Sequence, residues 1–331
     1  MPDQYDKTTI SIVIAAYNAA EHLPRAVKSV LAQTIQPNEI IVVDDGSTDN
    51  TKQVLEQFGD RIKYIYQNNA GPGAARNTGI QTATSEWISF LDADDEYLPN
   101  KLETQLEILA RHPDLHWITG NYIRCLCDTQ TRVPLRTKDE INQILNGSDT
   151  YDDFMQAFTI GVFGWTGTML IRRNAILKAG MFPTDIYLAE DIDLWLKIAY
   201  NHPRIGFAYE PLAIYHMGVQ GSLARNKASY ADTNNFLSHH LKLAKQHNCE
   251  DAFQPCARRI LVAWIRSALF DDRVKNVRSA INDFRNLLPP GLYLFFYVLS
   301  IFPQLTMKTC LLLSAISRKL RLRKRVWHPT D

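Results

Sequence analysis

The chain of 331 residues is poor in cysteine and in long uninterrupted apolar runs. Its five cysteines are odd in number and include no Cys-x-x-Cys pair, which argues against a disulfide framework and a zinc ribbon. Cys125 and Cys127 would share one face of a strand, and we interpret them as reduced core thiols of a cytosolic protein. No basic region precedes the short apolar run 10–17, so we expect no secretory signal.

Two nucleotide-binding fingerprints are also missing. The glycines of residues 68–79 fit neither G-x-G-x-x-G nor a Walker loop, so neither a dinucleotide site nor a P-loop is predicted. The loop still opens a predicted helix, where backbone N–H groups can face a phosphate or sugar and Arg76 can add a positive charge. Alternatively, these glycines serve close helix packing and Arg76 is a surface charge.

Strands and helices alternate in the first hundred residues. Short runs rich in β-branched and aromatic residues lie at 10–16, 39–43, 62–66 and 86–91, separated by helical stretches. This pattern predicts a parallel α/β sheet whose carboxyl edge is a binding rim. Further along, we expect a mobile connection or lid at 128–149, two short strands at 205–208 and 212–215, and helices from 230 to 287.

The densest group of carboxylates follows the strand at 86–91. Asp92 and Asp94 have i, i+2 spacing, and two such carboxylates can share a hard divalent cation with water and substrate phosphates. The alternative is a solvated acidic loop that caps the next helix. At the end of a strand in an α/β sheet, this group is a candidate metal site.

Three later positions are also candidates. Trp165 lies between two glycines and offers a flat face to a sugar ring, or else is a core residue. Glu190, Asp191 and Asp193 open a predicted helix, whose dipole favours acids there whatever the function. His216 follows a predicted strand and is either a metal ligand or an ordinary histidine.

Taken in order, these motifs resemble those of family 2 glycosyltransferases with the GT-A fold. The resemblance runs from about Thr9 to Ser222. It rests on five stretches of the chain, which are 11–18 (SIVIAAYN), 42–49 (VVDDGSTD), 71–79 (GPGAARNTG), 90–95 (FLDADD) and 190–195 (EDIDLW).

The resemblance implies inverting transfer of a sugar from a nucleoside diphosphate, commonly UDP, to a hydroxyl of an acceptor. It implies Asp191 as general base, with Glu190 as the competing assignment, and Mn²⁺ or Mg²⁺ held by Asp94, with His216 as a further metal candidate. Trp165 and Trp195 are expected to contact the acceptor. The nucleotide-sugar contacts implied are Ala16 and Tyr17 at the base, Asp44 or Asp45 at the uracil or ribose, Arg76 near the nucleotide, Asp92 at the ribose, and Ala93.

The chain departs from the family pattern in two places. Many relatives carry Tyr-Arg where this sequence has Tyr215-His216, which leaves the role of His216 open between metal contact, phosphate contact and neither. No Gln-x-x-Arg-Trp segment follows the helix of Glu190 and Asp191, and no array of spanning helices is present. These differences argue against a processive synthase of the cellulose or hyaluronan type.

The end of the chain combines apolar and basic residues. Residues 291–307 carry no charge but contain Pro303, Lys308 interrupts the run, and a basic cluster extends from Arg318 to Arg325. Because a spanning helix needs about 20 apolar residues, we expect a re-entrant or interfacial element held against anionic lipid. We therefore predict a protein on the cytoplasmic face of the membrane, and no nucleic-acid partner because the rest of the chain is acidic.

These observations predict an α/β protein with a GT-A (Rossmann-like, mainly parallel) sheet flanked by helices and a C-terminal helical, membrane-associating extension. The predicted regions are a GT-A domain at 1–229 (nucleotide-sugar half 1–125, acceptor half 126–229), a helical extension at 230–288 and a tail at 289–331. The acceptor is expected to be a lipid-linked or growing glycan. Rival hypotheses are a nucleotidyltransferase, which would need a basic N-terminal loop that this chain lacks, and an inactive membrane scaffold.

Overall fold

The structure is a computed structural model that describes residues 8–126, 129–161, 164–185, 189–219, 228–269 and 272–301. The described part of the chain divides into two compact units. The first contains residues 8–154 and 164–219 and includes the sheet, and the second contains residues 155–161 and 228–301. The predicted domain boundaries stay predictions, and the part of the predicted tail beyond residue 301 lies outside the described residues.

One mixed sheet organises the first unit. Its strands follow the order β3-β2-β1-β4-β9-β6-β10-β5, with β7 paired to β6 and β8 paired to β10. The strands are β1 Ile10–Ala16, β2 Glu39–Asp44, β3 Lys63–Tyr66, β4 Trp87–Asp92, β5 Glu96–Tyr97, β6 Trp117–Leu126, β7 Thr131–Pro134, β8 Thr150–Tyr151, β9 Leu170–Arg172 and β10 Ile205–Met217.

Helices flank the sheet in the first unit and form the second unit. The α-helices are α1 Leu23–Leu31, α2 Thr51–Leu55, α3 Pro72–Thr82, α4 Lys101–Arg111, α5 Lys138–Leu145, α6 Phe154–Ile160, α7 Arg173–Lys178, α8 Glu190–Ala199, α9 Tyr230–Gln246, α10 Glu250–Ala268, α11 Val277–Asp283 and α12 Pro290–Ile301. Within the described residues, no helix is both long enough and apolar enough to cross a membrane.

The parallel part of the sheet brings the carboxyl ends of three strands together. β1 pairs in parallel with β2 and with β4, so that Ala16 aligns with Asp44 and Ala15 aligns with Asp92. β1 is buried along nearly its whole length, as expected for a strand covered on both faces. The loops that follow these strands therefore share one edge, as the alternating sequence pattern predicted.

Close packing of helices against the sheet fixes the position of these loops. Leu23, Val27 and Val30 of α1 are fully buried, and burying such side chains stabilises the fold by roughly 1.5–3 kcal/mol each. α3 packs against β1 at Gly79, where a Cβ atom would lie 2.3 Å from Val13 Cγ1. The glycine thus permits a helix–strand approach that a larger residue would prevent.

Local structure differs from the sequence prediction in two places. Residues 129–149 of the expected mobile connection or lid contain β7 and α5, and α5 begins with a capping box between Thr137 and Glu140. The mobility of this segment stays a prediction, and residue 128 lies outside the described residues. The two strands predicted at 205–215 form the single strand β10, whose pairing with β6 shifts register on either side of Pro211. Proline has no backbone N–H to donate, which explains the interrupted pairing at Pro211. The strand continues beyond this point and pairs with β6 again.

Candidate active site

Two buried carboxylates follow β2 and hold neighbouring loops. Asp44 accepts hydrogen bonds from Ser47 N at 2.8 Å and from the Tyr64 hydroxyl at 2.7 Å. Asp45 accepts from Ala70 N at 3.0 Å and from Gly71 N at 2.8 Å, which ties it to the loop that opens α3. Both predicted nucleotide contacts thus border the rim, where they stabilise the loops around it.

Arg76 is buried and joins two distant carboxylates. Its Nη2 atom lies 2.7 Å from Asp92 Oδ1 at the end of β4, and its Nη1 atom lies 2.9 Å from Glu190 Oε1 at the start of α8. The guanidinium also lies over the Phe182 ring, 5.3 Å from its centroid. Arg76 is therefore not a surface charge, and it connects α3, β4 and α8 at one point.

Glu190 and Asp191, the first two residues of α8, contact different partners. Ala189, the residue before the helix, has a left-handed backbone with φ of 64°. Glu190 pairs with Arg76, whereas Asp191 Oδ2 accepts a 2.9 Å hydrogen bond from the Thr166 hydroxyl and its Oδ1 accepts from Ile192 N at 2.8 Å. Burial raises the pKa of Glu190 despite the opposing charge of Arg76.

The loop after β4 concentrates negative charge. Burial, and next the charge of Asp92, raises the pKa of Asp94. Asp95 is fully buried, and burial followed by the charges of Asp94 and Asp92 raises the pKa of its carboxyl well above the usual range. Its Oδ1 accepts from His216 N at 2.7 Å, but among the described residues its buried Oδ2 has no hydrogen-bond partner. This loop therefore crowds three carboxyl groups together and leaves one carboxyl oxygen unsatisfied.

His216 forms a polar contact beneath this loop. Its Nε2 atom lies 2.7 Å from Glu96 Oε1, and its hydrogen bond lowers the pKa of Glu96. Arg25 Nη2 donates to the Asp94 carbonyl oxygen at 2.5 Å, and its Nε lies 3.4 Å from Glu96 Oε1. Arg25, Glu96 and His216 therefore join α1, β5 and β10 below the acidic loop, and the metal contact expected for His216 stays a prediction.

Three aromatic rings lie next to Thr166. The Trp165 indole is 5.0 Å from the Tyr122 ring and 5.3 Å from the Tyr215 ring, measured between centroids. Its Nε1 atom is buried without a hydrogen-bond partner. Burial, and next the charges of Asp95 and its neighbours, raises the pKa of Tyr215 to about 12, so this hydroxyl stays protonated at neutral pH. We call Tyr122, Trp165 and Tyr215 the aromatic cluster.

The two tryptophans predicted to contact the acceptor lie in different surroundings. Trp165 is half-buried in the aromatic cluster, but Trp195 is only 2% exposed and packs against Phe90 and Phe182 in the core. This burial argues against a contact of Trp195 with the acceptor, which stays a prediction. Tyr17, by contrast, is 53% exposed, although the adjacent Ala16 is buried. The Tyr17 ring is therefore accessible at the rim.

The sequence reasoning missed several residues that shape the site. Thr166, Tyr122, Tyr215, Glu96 and Arg25 each contact a predicted site residue or its loop. Glu96 directly continues the acidic run, which was an available signal. The other four come from separate helices, strands and turns, and no local pattern marks them.

The acidic loop fits a cation that is shared with a substrate. Within the described residues, no three His, Cys, Asp or Glu side chains converge so as to hold a metal ion by themselves. Mg²⁺, however, commonly keeps several waters and uses only one or two carboxylates plus substrate phosphates. The crowded negative charge at Asp94 and the unpartnered oxygen of Asp95 fit that arrangement.

A comparison with protein families identifies the chain. The model of glycosyl transferase family 2 matches residues 11–179, which is half of the chain and includes the loops after β1, β2 and β4. This chain is a family 2 glycosyltransferase. The match ends before Glu190 and Asp191, so the assignment of the general base does not rest on it.

Relatives of this family 2 glycosyltransferase are themselves named glycosyltransferases. It is 50% identical over 188 residues to an uncharacterized glycosyltransferase of Nostoc, covering 53% of this chain and 54% of the relative. It is 32% identical over 229 residues to the putative teichuronic acid biosynthesis glycosyltransferase TuaG of Bacillus subtilis, covering 67% and 83%. An uncharacterized glycosyltransferase of Rickettsia conorii is 33% identical over 58% of this chain and 31% of its own length. The matched region therefore spans only 31% of the Rickettsia relative and 54% of the Nostoc relative.

A solved structure confirms the fold of this glycosyltransferase. The crystal structure of S. aureus TarS 1-349 in complex with UDP-GlcNAc superposes with a TM-score of 0.64 over 91% of both chains, at 16% sequence identity. At that identity the likeness concerns the fold alone. The predicted family, enzyme class and GT-A fold are confirmed, whereas the individual site residues stay predictions.

Proposed function

We propose that this enzyme moves a sugar, with inversion, from a nucleoside diphosphate donor to a hydroxyl of a lipid-linked or growing glycan. The observation that carries this proposal is the arrangement around Arg76. This residue pairs with Glu190 and Asp92, while the neighbouring Asp191 has no arginine partner among the described residues and is oriented by Thr166 and Ile192 N–H. Glu190 is thus engaged in an ion pair, whereas Asp191 is oriented by two hydrogen bonds and is available to accept a proton.

The donor side is the edge formed by the loops after β1, β2 and β4. Exposed Tyr17, the loops held by Asp44 and Asp45, and the α3 loop surround this edge. UDP is the first candidate nucleotide, because TarS, which shares the fold, has been crystallised with UDP and with UDP-GlcNAc. A diphosphate placed here would lie beside the acidic loop, so its charge needs a counter-ion.

Asp94 is the proposed protein ligand for Mn²⁺ or Mg²⁺, with diphosphate oxygens and water completing the coordination. When bound, such a cation neutralises charge on the leaving diphosphate as a Lewis acid. Arg76 keeps Asp92 in place beside this position and adds a buried positive charge. His216 remains a candidate second contact, although its Nε2 atom is engaged by Glu96.

Asp191 is the proposed general base. As the acceptor oxygen forms its bond to the anomeric carbon, the bond from that carbon to the diphosphate oxygen breaks and its electron pair leaves with the nucleotide. The acceptor hydroxyl proton passes to Asp191, whose two oxygens each accept one hydrogen bond and keep a further acceptor site. Attack opposite to the leaving group gives inversion, and a positioned base contributes typically about 10²–10⁴-fold in rate.

The test uses a matched pair of carboxylate variants. UDP release from a panel of UDP-sugars is measured for Asp191→Asn and Glu190→Gln, and UDP binding is measured by calorimetry with and without Mn²⁺ for these variants and Asp94→Asn. We expect Asp191→Asn to lose about 10²-fold or more in turnover while keeping UDP binding. Asp94→Asn should lose the metal-dependent part of UDP binding. Full turnover by Asp191→Asn would refute the base assignment, and no nucleotide binding would refute the transferase proposal.

Attachment to the membrane surface is a second part of the proposal. α12 exposes several apolar side chains, with Leu294 60% and Phe295 54% exposed, and the sequence then continues to the basic cluster 318–325. Exposed apolar residues next to lysines and arginines favour the interface of an anionic bilayer, where each basic residue adds about 1 kcal/mol. This would hold the enzyme at the cytoplasmic face of the membrane, where a lipid-linked acceptor would be found.

Vesicle flotation tests this attachment. We expect the full chain to float with anionic vesicles and to do so less with zwitterionic ones. The double variant Leu294→Gln, Phe295→Gln should float less, whereas Leu177→Gln, which alters an exposed apolar residue of α7, should behave as the parent. Equal flotation of the double variant and the parent would remove α12 from the proposal.

A further inference from the structure

An arginine beside the aromatic cluster has an unsatisfied buried nitrogen. Arg124 lies on β6 and is half-buried, and among the described residues its buried Nε atom has no hydrogen-bond partner. In the part of the chain that the structure describes, no carboxylate forms an ion pair with it. Leaving a buried polar group unsatisfied costs about 1–3 kcal/mol, and more when the group is charged. Such a cost is recovered when a ligand supplies the missing acceptor.

Strand geometry places Arg124 on the same face as the aromatic cluster. Tyr122 and Arg124 are two residues apart on β6, so their side chains point to the same side of the sheet. Tyr215 on the neighbouring strand β10 aligns with Arg124 in the register, and the Tyr215 ring contacts both Trp165 and Tyr122. Arg124 therefore borders the aromatic cluster on the side formed by β6 and β10.

The proposed base lies at the other side of the same cluster. Trp165 directly precedes Thr166, whose hydroxyl holds Asp191 at 2.9 Å. Trp165 thus connects the turn that holds Asp191 to the two tyrosine rings, and Arg124 follows Tyr122 on β6. A sugar stacked on these rings would present a hydroxyl to Asp191 and its next substituent to Arg124.

Two other arginines at this site already have acidic partners. Arg76 pairs with Asp92 and Glu190, and Arg25 contacts Glu96 and the Asp94 carbonyl oxygen. Arg124 differs from both because its charge has no partner among these acids. A planar guanidinium binds carboxylate or phosphate through two parallel hydrogen bonds, which a neutral hydroxyl cannot match.

We propose that Arg124 selects acceptors that carry an anionic group, a phosphate or a carboxylate, next to the sugar that stacks on the aromatic cluster. This inference rests on the proposed glycosyltransferase function and names the class of acceptor that the site takes. Arg124 acts in acceptor recognition, so its loss weakens binding of the anionic acceptor and leaves donor binding intact.

The test compares neutral and anionic sugars on the full chain loaded with UDP and Mg²⁺. Methyl glucoside, methyl glucuronide and methyl glucoside 6-phosphate are titrated by saturation-transfer NMR against the parent, Arg124→Gln, Arg124→Lys and the control Arg111→Gln. Arg111 is an exposed arginine of α4 that pairs with Asp149. We expect at least one anionic sugar to bind the parent about tenfold more tightly than the neutral one, as a charge-assisted hydrogen bond provides.

The variants decide the outcome. Arg124→Gln should lose this preference, Arg124→Lys should keep part of it, and Arg111→Gln should keep all of it, with UDP affinity unchanged throughout. The anionic sugar that binds more tightly shows whether phosphate or carboxylate is the preferred group. Three results would overturn the inference while UDP binding persists. They are equal binding of neutral and anionic sugars, a preference that survives Arg124→Gln, and no binding of either anionic sugar. Absence of UDP binding would instead refute the proposed function, and this inference with it.

Discussion

Replacing Arg76 with methionine should destabilise the fold strongly, because it leaves two carboxylates without their counter-charge. The Arg76 side chain is 8% exposed, and those of its partners Glu190 and Asp92 are 13% and 26% exposed. Removing one member of a buried ion pair costs typically about 3–5 kcal/mol. Since a domain has about 5–15 kcal/mol in total, this variant should lose a large fraction of its stability.

Urea unfolding followed by circular dichroism at pH 7.5 measures this loss. The control Arg111→Met removes an exposed ion pair with Asp149 and should cost less than about 1 kcal/mol. The double variant Arg76→Met, Glu190→Gln removes one of the stranded charges and should be more stable than Arg76→Met alone. A loss below about 1 kcal/mol for Arg76→Met, or no recovery in the double variant, would refute the reasoning.

The same variant has a predictable dependence on pH. Burial already raises the pKa of Glu190, and removal of Arg76, which opposes that effect, raises it further. A carboxyl whose pKa is higher in the folded state than its unfolded value of about 4.5 favours folding at low pH. The destabilisation should therefore shrink as pH falls towards 4.5, grow as pH rises up to the folded pKa of Glu190 in the variant, and stay constant above it.

Three further predictions concern other contacts. Thr166→Val removes the hydroxyl that orients Asp191 and should lower turnover about tenfold with unchanged UDP affinity. Thr166→Ser keeps a hydroxyl and should keep most of the activity. Equal rates for both variants would contradict this role. Gly79→Ala places a Cβ atom against Val13 and should cost about 1–3 kcal/mol in urea unfolding, so an unchanged midpoint would contradict the packing argument. Lys101 is fully buried, and burial lowers its pKa well below the usual value. The contribution of Lys101 to the free energy of unfolding should therefore increase with pH up to about 10.4, the usual lysine pKa. Lys101→Met should lack this pH-dependent contribution.

The sequence predicted the parts of the fold that depend on local patterns. β1, β2 and β4 are mainly apolar, and their loops meet at one edge because parallel strands end on the same side. The structure differed where a local signal was ambiguous. The polar residues of 128–149 contain a capped helix, and Pro211 interrupts the pairing of β10 without ending it.

The site could be predicted only in part, because its decisive contacts join distant residues. Arg76 and Glu190 are separated by 114 positions, and no local spacing indicates their pairing. Trp165 and Trp195 both lie in apolar stretches, so the sequence could not distinguish the ring in the aromatic cluster from the ring in the core. Arg124 gave no signal, because what distinguishes it is a buried Nε atom without a hydrogen-bond partner among the described residues.

The position of β9 has a consequence for synthesis of the chain. This strand lies between β4 and β6 and pairs with both, aligning Leu170 with Ser89 and Ile171 with Trp117. Until β9 has been translated, the edge of β4 has no neighbour on that side, and an open strand edge can pair with other chains. At about 5–20 residues per second, the ribosome needs roughly 4–16 s to reach β9 from β4. The strand that follows Thr166 therefore sets the time for which the nascent sheet needs protection from aggregation.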